Sequence, residues 1–328
     1  MRDGFLEEVG KEAGTGDLKV RVAWAYYKEN LTQKEISDRY NINRTKVYRL
    51  IREAREGNVV SIDISHPDAN LLKMEKKLTG LYELEDALIV PYTPDENLIK
   101  KMLGEAGGFF LRNKAGCFPS LGVSIGGTLE KVAESYKPTE EQRNREVDVV
   151  SLTGNLAGNI ATTPYSVGNV IADKLGADFY NIWAPAVAED AESAEVFRSE
   201  TWVKKVLEKA EGVELMLMGV GTVSTSAEVF RELDYLSEEE ISNLKRKGAV
   251  GDALGQFFDE SGEIIENGFR DRIVGISLEK LRGRSGIVGV AGGKKKYEGI
   301  LAGLRGNFFN VLITDEWTAR KLIEKRER

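Results

Sequence analysis

The sequence predicts an α/β protein in two parts, a small helical N-terminal domain and a larger domain built on a mostly parallel sheet. Three observations predict it. Residues 31–55, LTQKEISDRYNINRTKVYRLIREAR, carry capping signals at two helix starts, and the second helix is rich in Arg. From residue 87 onward apolar strand-like runs alternate with helical runs, the order of a mostly parallel sheet. Charge divides along the same line: residues 18–56 hold ten Lys/Arg against five Asp/Glu, whereas residues from 66 onward hold 34 against 42. A basic module on an acidic body suits nucleic-acid contact through the module alone.

Residues 1–17 read as a flexible tail. Residues 18–30, with Trp24, Tyr26 and Tyr27, read as a supporting helix. Thr32 and Glu35 have capping-box spacing, Asn41 tolerates a left-handed turn, and Asn43 is placed to cap the next helix. On that helix Val47, Leu50, Ile51 and Ala54 recur at helical spacing, and Gly57 ends it. Arg44, Thr45, Tyr48 and Arg49 are expected to face bases, while Gln33, Lys46, Arg52 and Arg55 grip phosphate. A major groove admits one helix, and Arg forks onto guanine. The competing reading is a helical hairpin with a solvated basic face. Residues 58–64, NVVSIDI, alternate and read as a strand, either a wing or a seal for this domain. The domain is therefore assigned to 18–65, winged-helix-like in class.

Residues 66–86 read as a linker and oligomerisation segment, with an amphipathic helix at 69–79. The remainder, 87–328, is expected to be Rossmann-like. Strands are expected at 87–90, 122–125, 147–152, 176–182, 214–219, 272–277, 286–290 and 310–314. Helices are expected at 129–136, 167–175, 194–210, 296–304 and 317–324.

In such sheets ligands bind beyond the carboxyl ends of the strands. GVSIGGT ends a strand in Gly126-Gly127 and opens a helix at Thr128, which suits a phosphate or is a plain tight turn. VVSLTGN places Thr153, Gly154 and Asn155 at another strand end, where Thr153 and Asn155 suit sugar hydroxyls. GVGTVSTS, residues 219–226, is a third such end and reads equally as a structural turn. VAGGKKKYEGI sets Lys294, Lys295 and Lys296 at a helix start, where cations oppose the helix dipole unless an anion is bound. Asp252, in GAVGDALGQFF, reads as an acid in an apolar helix start, either a helix-start carboxylate or an acceptor for a sugar hydroxyl.

One histidine, His66, and one cysteine, Cys117, leave no material for His/Cys metal clusters, and no metal or cofactor is expected. No apolar run reaches the ~20 residues that span a bilayer, and no export signal is seen, so a cytoplasmic location is expected and no membrane partner.

Together these stretches resemble the SorC family of bacterial transcriptional regulators. The motifs are the helix-turn-helix stretch with SIGGT, APAVAED, GVGT, GAVGDALGQFFDESG, VAGGKKKYEGI and NVLITDEWTARKLI. The resemblance implies operator DNA and a phosphorylated sugar effector as partners, and a homo-oligomer, dimer or tetramer. It implies an effector domain like the sugar-phosphate isomerases and deaminases that senses its ligand without turning it over. By motif, Gly126, Gly127 and Thr128 match the phosphate loop, Asp252 a polyol-binding acid, and Lys296, with Lys294, a lysine at the ligand. Thr153-Gly154-Asn155 departs from the family's paired glycines. The competing expectation is a sugar-phosphate isomerase- or deaminase-like enzyme with an appended DNA-binding module, Asp252 and Lys296 being its acid–base groups.

Overall fold

Local capping sets the first helices. The computed structural model describes residues 15–62, 69–114, 118–156 and 164–327; the 1–14 part of the expected tail, His66 and Cys117 lie outside them. By contacts the chain divides into two units between residues 66 and 67. In the first, α1 (Thr15–Tyr27), α2 (Gln33–Tyr40) and α3 (Arg44–Glu56) surround Val22, Ala25, Ile36, Val47, Leu50 and Ile51. Thr32 caps α2 reciprocally with Glu35, Asn41 ends it in the left-handed region at φ 49°, and Asn43 accepts the Lys46 N–H at 2.7 Å to start α3. The strand expected at 58–64 is absent from 58–62. The Val59 and Val60 N–H groups both donate to the Ala54 carbonyl, so the chain folds back onto the end of α3. Residues 63 and 64 lie outside the described residues.

The second unit is a seven-stranded parallel sheet covered on both faces. Its strands are β1 (Asp86–Val90), β2 (Ser120–Val123), β3 (Asp148–Ser151), β4 (Asp178–Tyr180), β5 (Leu215–Gly219), β9 (Ile287–Val290) and β10 (Val311–Asp315). They lie in the order β1-β10-β9-β5-β2-β3-β4. One face packs on α5 (Glu96–Asn113), α6 (Gly127–Ser135) and α8 (Pro164–Leu175). The other packs on α4 (Ala69–Tyr82), α9 (Ala191–Ser199), α10 (Thr201–Gly212), α14 (Tyr297–Arg305) and α15 (Glu316–Arg326). Strands buried on both faces read as apolar runs, as these do. Within residues 66–86, read as a linker and oligomerisation segment, α4 buries Leu78 and packs on β1 and α15. A short helix, α7 (Glu140–Arg143), precedes β3.

A smaller lobe projects from the end of β5. It holds β6 (Gly221–Thr222), α11 (Val223–Glu232), α12 (Glu238–Arg246), β7 (Ala249–Ala253), β8 (Gln256–Asp259) and α13 (Gly268–Asp271). Three expectations are corrected in this unit. Residues 249–259 form a hairpin, turned by Leu254 and Gly255 at φ 53° and 75°, instead of the helix start read at 248–258. Residues 272–277 join no sheet; two isolated bridges, Thr153–Gly275 and Val187–Ile273, use them to tie the loop after β3 to residues 184–188. The expected helix 194–210 is broken at Glu200, whose extended backbone separates α9 from α10. Among the described residues no helix is long and apolar enough to cross a membrane.

Candidate functional site

In the first unit, α3 buries one face and exposes the rest. At about 100° per residue, Arg44, Thr45, Tyr48, Arg49, Arg52 and Arg55 fall within a sector of about 140°. All six are exposed, as is Lys46 at its margin, while Gln33 is half-buried at the start of α2. Tyr48 leaves 54% of its surface in solvent, large for an aromatic with no core role. Arg49 and Arg52 pair along the helix with Glu53 and Glu56 at 3.5 and 3.4 Å, exposed pairs that a phosphate easily displaces. Arg44, Lys46 and Arg55 have no ion-pair partner among the described residues.

In the second unit the strand order turns outward in both directions from β2 and β5, which makes their carboxyl ends the topological switch point. A cavity of about 680 Å³ opens there. Its wall brings together Gly126, Gly127, Thr128, Thr153, Asp252, Lys294 and Lys296. Gly126, at φ 155°, offers no side chain to cap α6, and a Cβ on Gly127 would meet no atom within 4 Å. Bare N–H groups of a helix start therefore face open cavity, where the dipole favours an anion. A second bare start lies after β9: Gly293, at φ 95°, precedes a 3-10 turn, Lys294–Lys296, that runs into α14. Asp315 fixes this turn by accepting the Gly293 N–H at 2.6 Å.

Between the two lies Asp252. It pairs across the β6–β7 ladder with Gly221, just past the end of β5. A Cβ on Gly221 would stand 2.1 Å from Asp252 Oδ1 and 1.9 Å from Ser226 Oγ, so only glycine lets these side chains converge. Burial pushes the Asp252 carboxyl up to about 6, against the pull of the Ser226 hydroxyl, the Lys296 ammonium and the Gly255 backbone. Lys296 is pushed below the usual lysine range, first by burial and also by Lys100, with Asp252 opposing. Oδ1 of Asp252 and Oγ1 of Thr153, both buried in the cavity wall, have no hydrogen-bond partner among the described residues. Buried polar atoms rarely stay unpaired, so both are poised for a ligand's hydroxyls. Among the described residues no acid, His and Cys cluster is arranged to hold a metal.

Gly154 and Asn155 do not reach the cavity wall. Gly154 donates its N–H to the Val274 carbonyl at 2.8 Å and lies against Pro185, and the Asn155 amide donates to the Ile182 carbonyl at 3.0 Å. They brace the floor beneath Thr153. The structure adds Lys100, Ser124, Thr225 and Ser226 to the wall. Ser226 lies in the GVGTVSTS stretch, where its hydroxyl was the available signal; Lys100 sits in an amphipathic helix where sequence offers none.

The chain is similar to known proteins over most of its length. The family described as "Putative sugar-binding domain" matches residues 66–324. The erythritol catabolism regulatory protein EryD of Brucella abortus (strain 2308) is 33% identical over 310 residues, 93% of this chain and 96% of that protein. The deoxyribonucleoside regulator of Bacillus subtilis (strain 168) is 31% identical over 312 residues, 93% of this chain and 97% of its own. The crystal structure of the full-length sorbitol operon regulator SorC from Klebsiella pneumoniae shares the fold, with a TM-score of 0.72 at 24% identity over 93% of this chain and 98% of that one. With a family domain spanning most of its length and such relatives over nearly all of it, the chain belongs to the SorC family of sugar-binding transcriptional regulators.

Proposed function

We propose that this protein is a cytoplasmic DNA-binding regulator of a carbohydrate-metabolism operon, controlled by a phosphorylated sugar that it binds without turnover. The observation that carries this reading is one cavity that joins a bare helix start at Gly126–Thr128 to a buried acid with an unpaired oxygen, Asp252. The helix start suits phosphate, and Asp252 with Thr153 suits the sugar hydroxyls. Operator contact falls to α3, with Arg44, Thr45, Tyr48 and Arg49 toward bases and Gln33, Lys46, Arg52 and Arg55 toward phosphates. A homo-oligomer, dimer or tetramer, sets two such helices on two half-sites. The effector changes DNA affinity only by its differential affinity for two arrangements of that oligomer.

A thermal-shift panel of sugar phosphates beside their unphosphorylated parents tests this. A phosphorylated sugar at ~100 times its dissociation constant should stabilise the protein by ~2.7 kcal/mol, with the shift lost in Thr128→Ala. No shift with any phosphorylated compound would reject the reading. The second reading, a sugar-phosphate isomerase- or deaminase-like enzyme, draws on the opposed shifts of Asp252 and Lys296, a pattern that catalytic pairs also show. Conversion of a bound sugar phosphate followed by NMR separates the two.

A further inference from the structure

The helix α5 has two faces with different work. Ile99 and Leu103 are buried and line the ligand cavity, and Gly107, Phe110 and Leu111 continue that buried side. The opposite side meets solvent. At about 100° per residue, Leu98, Met102, Glu105, Phe109 and Arg112 fall there within a sector of about 80°. Phe109 leaves 61% of its surface exposed and Leu98 43%, which makes an apolar stripe with no core to join.

This stripe borders a groove of about 370 Å³ at the edge of the sheet, away from the ligand cavity. Met102 and Phe109 line it from α5, Leu88, Val90 and Pro91 from the β1 side, and Glu75 from α4. β1 is the last strand of the sheet in this direction. Its Ala87 and Ile89 N–H groups donate to the Asp86 and Glu75 carboxylates at 2.9 and 2.8 Å, so the edge is closed to an added strand. A helix bringing apolar side chains suits the groove instead.

Charge decides which helix. Among the described residues Arg112 has no ion-pair partner, and Glu105 reaches only Lys101, at 4.0 Å. Glu105 and Arg112 stand two turns apart with Phe109 between them. Across a two-fold axis near Phe109, an antiparallel second α5 sets Glu105 of each copy beside Arg112 of the other, so the contact forms twice. Parallel pairing would set Glu105 against Glu105 and Arg112 against Arg112, which is repulsive. The face is complementary to itself in one direction only.

We infer that α5 pairs antiparallel with α5 of a second copy of this chain, Phe109 of each copy seating in the groove of the other. This rests on the homo-oligomer proposed above and names a surface for it. Sedimentation velocity of the full chain over a concentration series tests it. The wild type should associate, and Phe109→Asp should weaken at least one association step about tenfold or more. Glu105→Arg or Arg112→Glu alone sets like charges together at both contacts and should weaken the same step about tenfold. The double variant Glu105→Arg/Arg112→Glu should return to within about threefold of the wild type, a recovery that damage to the fold cannot produce. A wild type that stays monomeric throughout overturns the homo-oligomer and this surface together. Association left intact by Phe109→Asp, or a double variant no better than either single swap, overturns the surface and leaves an oligomer built elsewhere.

Discussion

At the scale of single residues, burial of Asp252 sets stability against the binding proposed for it. Its carboxyl is held at about 6 against an ordinary value near 4. Folding therefore favours its protonated form: the contribution is fully present below pH ~4 and is lost as pH rises through ~6. Two units correspond to about 3 kcal/mol. Asp252→Asn should flatten this limb of the pH–stability curve in urea unfolding and make the ligand-free protein about 1–3 kcal/mol more stable at pH 7.5, while weakening the effector. Gly127 gives a complementary test. Its backbone is ordinary and a Cβ there would meet nothing. Gly127→Ala should leave the melting temperature within a degree or two and reduce sugar-phosphate affinity tenfold or more by calorimetry. Such residues were legible in the sequence when their signal was local: Gly126, Gly127, Thr128 and Lys294–Lys296 each sit where a strand ends and a helix begins. Lys100 was not legible, since only the packing of α5 on α6, where a Cβ on Gly107 would come 2.5 Å from Val132, fixes which cavity it faces.

At the scale of elements, the helix-turn-helix could be read almost residue by residue. Caps at Thr32 and Asn43, the left-handed Asn41 and the 3.6-residue period are interactions within a few residues of each other, and the structure has all of them. The hairpin at 249–259 was misread for the converse reason. Both its strands are buried nearly throughout, so alternation is lost, and its turn uses Leu254 where Asn or Gly is the usual occupant. For α3, Arg49→Ala should lower affinity for the cognate operator by about 1–3 kcal/mol while sparing unrelated DNA. Arg55→Ala should weaken all duplexes alike and lower the salt slope by about one, both measured by fluorescence anisotropy across a salt series.

At the scale of the whole molecule, the alternation of strands and helices gave the fold class, but nothing local specifies that β1 pairs in register with β10. That pairing spans more than two hundred residues, and α4 depends on the same distant partner, α15. A chain cut after Asn310 loses β10 and α15 together. It should bind a hydrophobic dye and lose cooperative unfolding of the second unit, while keeping the helical signal of α1–α3. The same closure orders events on the ribosome. The DNA reader needs only its own first sixty or so residues and can form while the rest is still being made, whereas the sheet waits, its first strand unpaired, for almost the last segment to emerge. A message broken late in the gene would therefore yield the reader's helices joined to a sheet that cannot close, and so no working sensor for the metabolite.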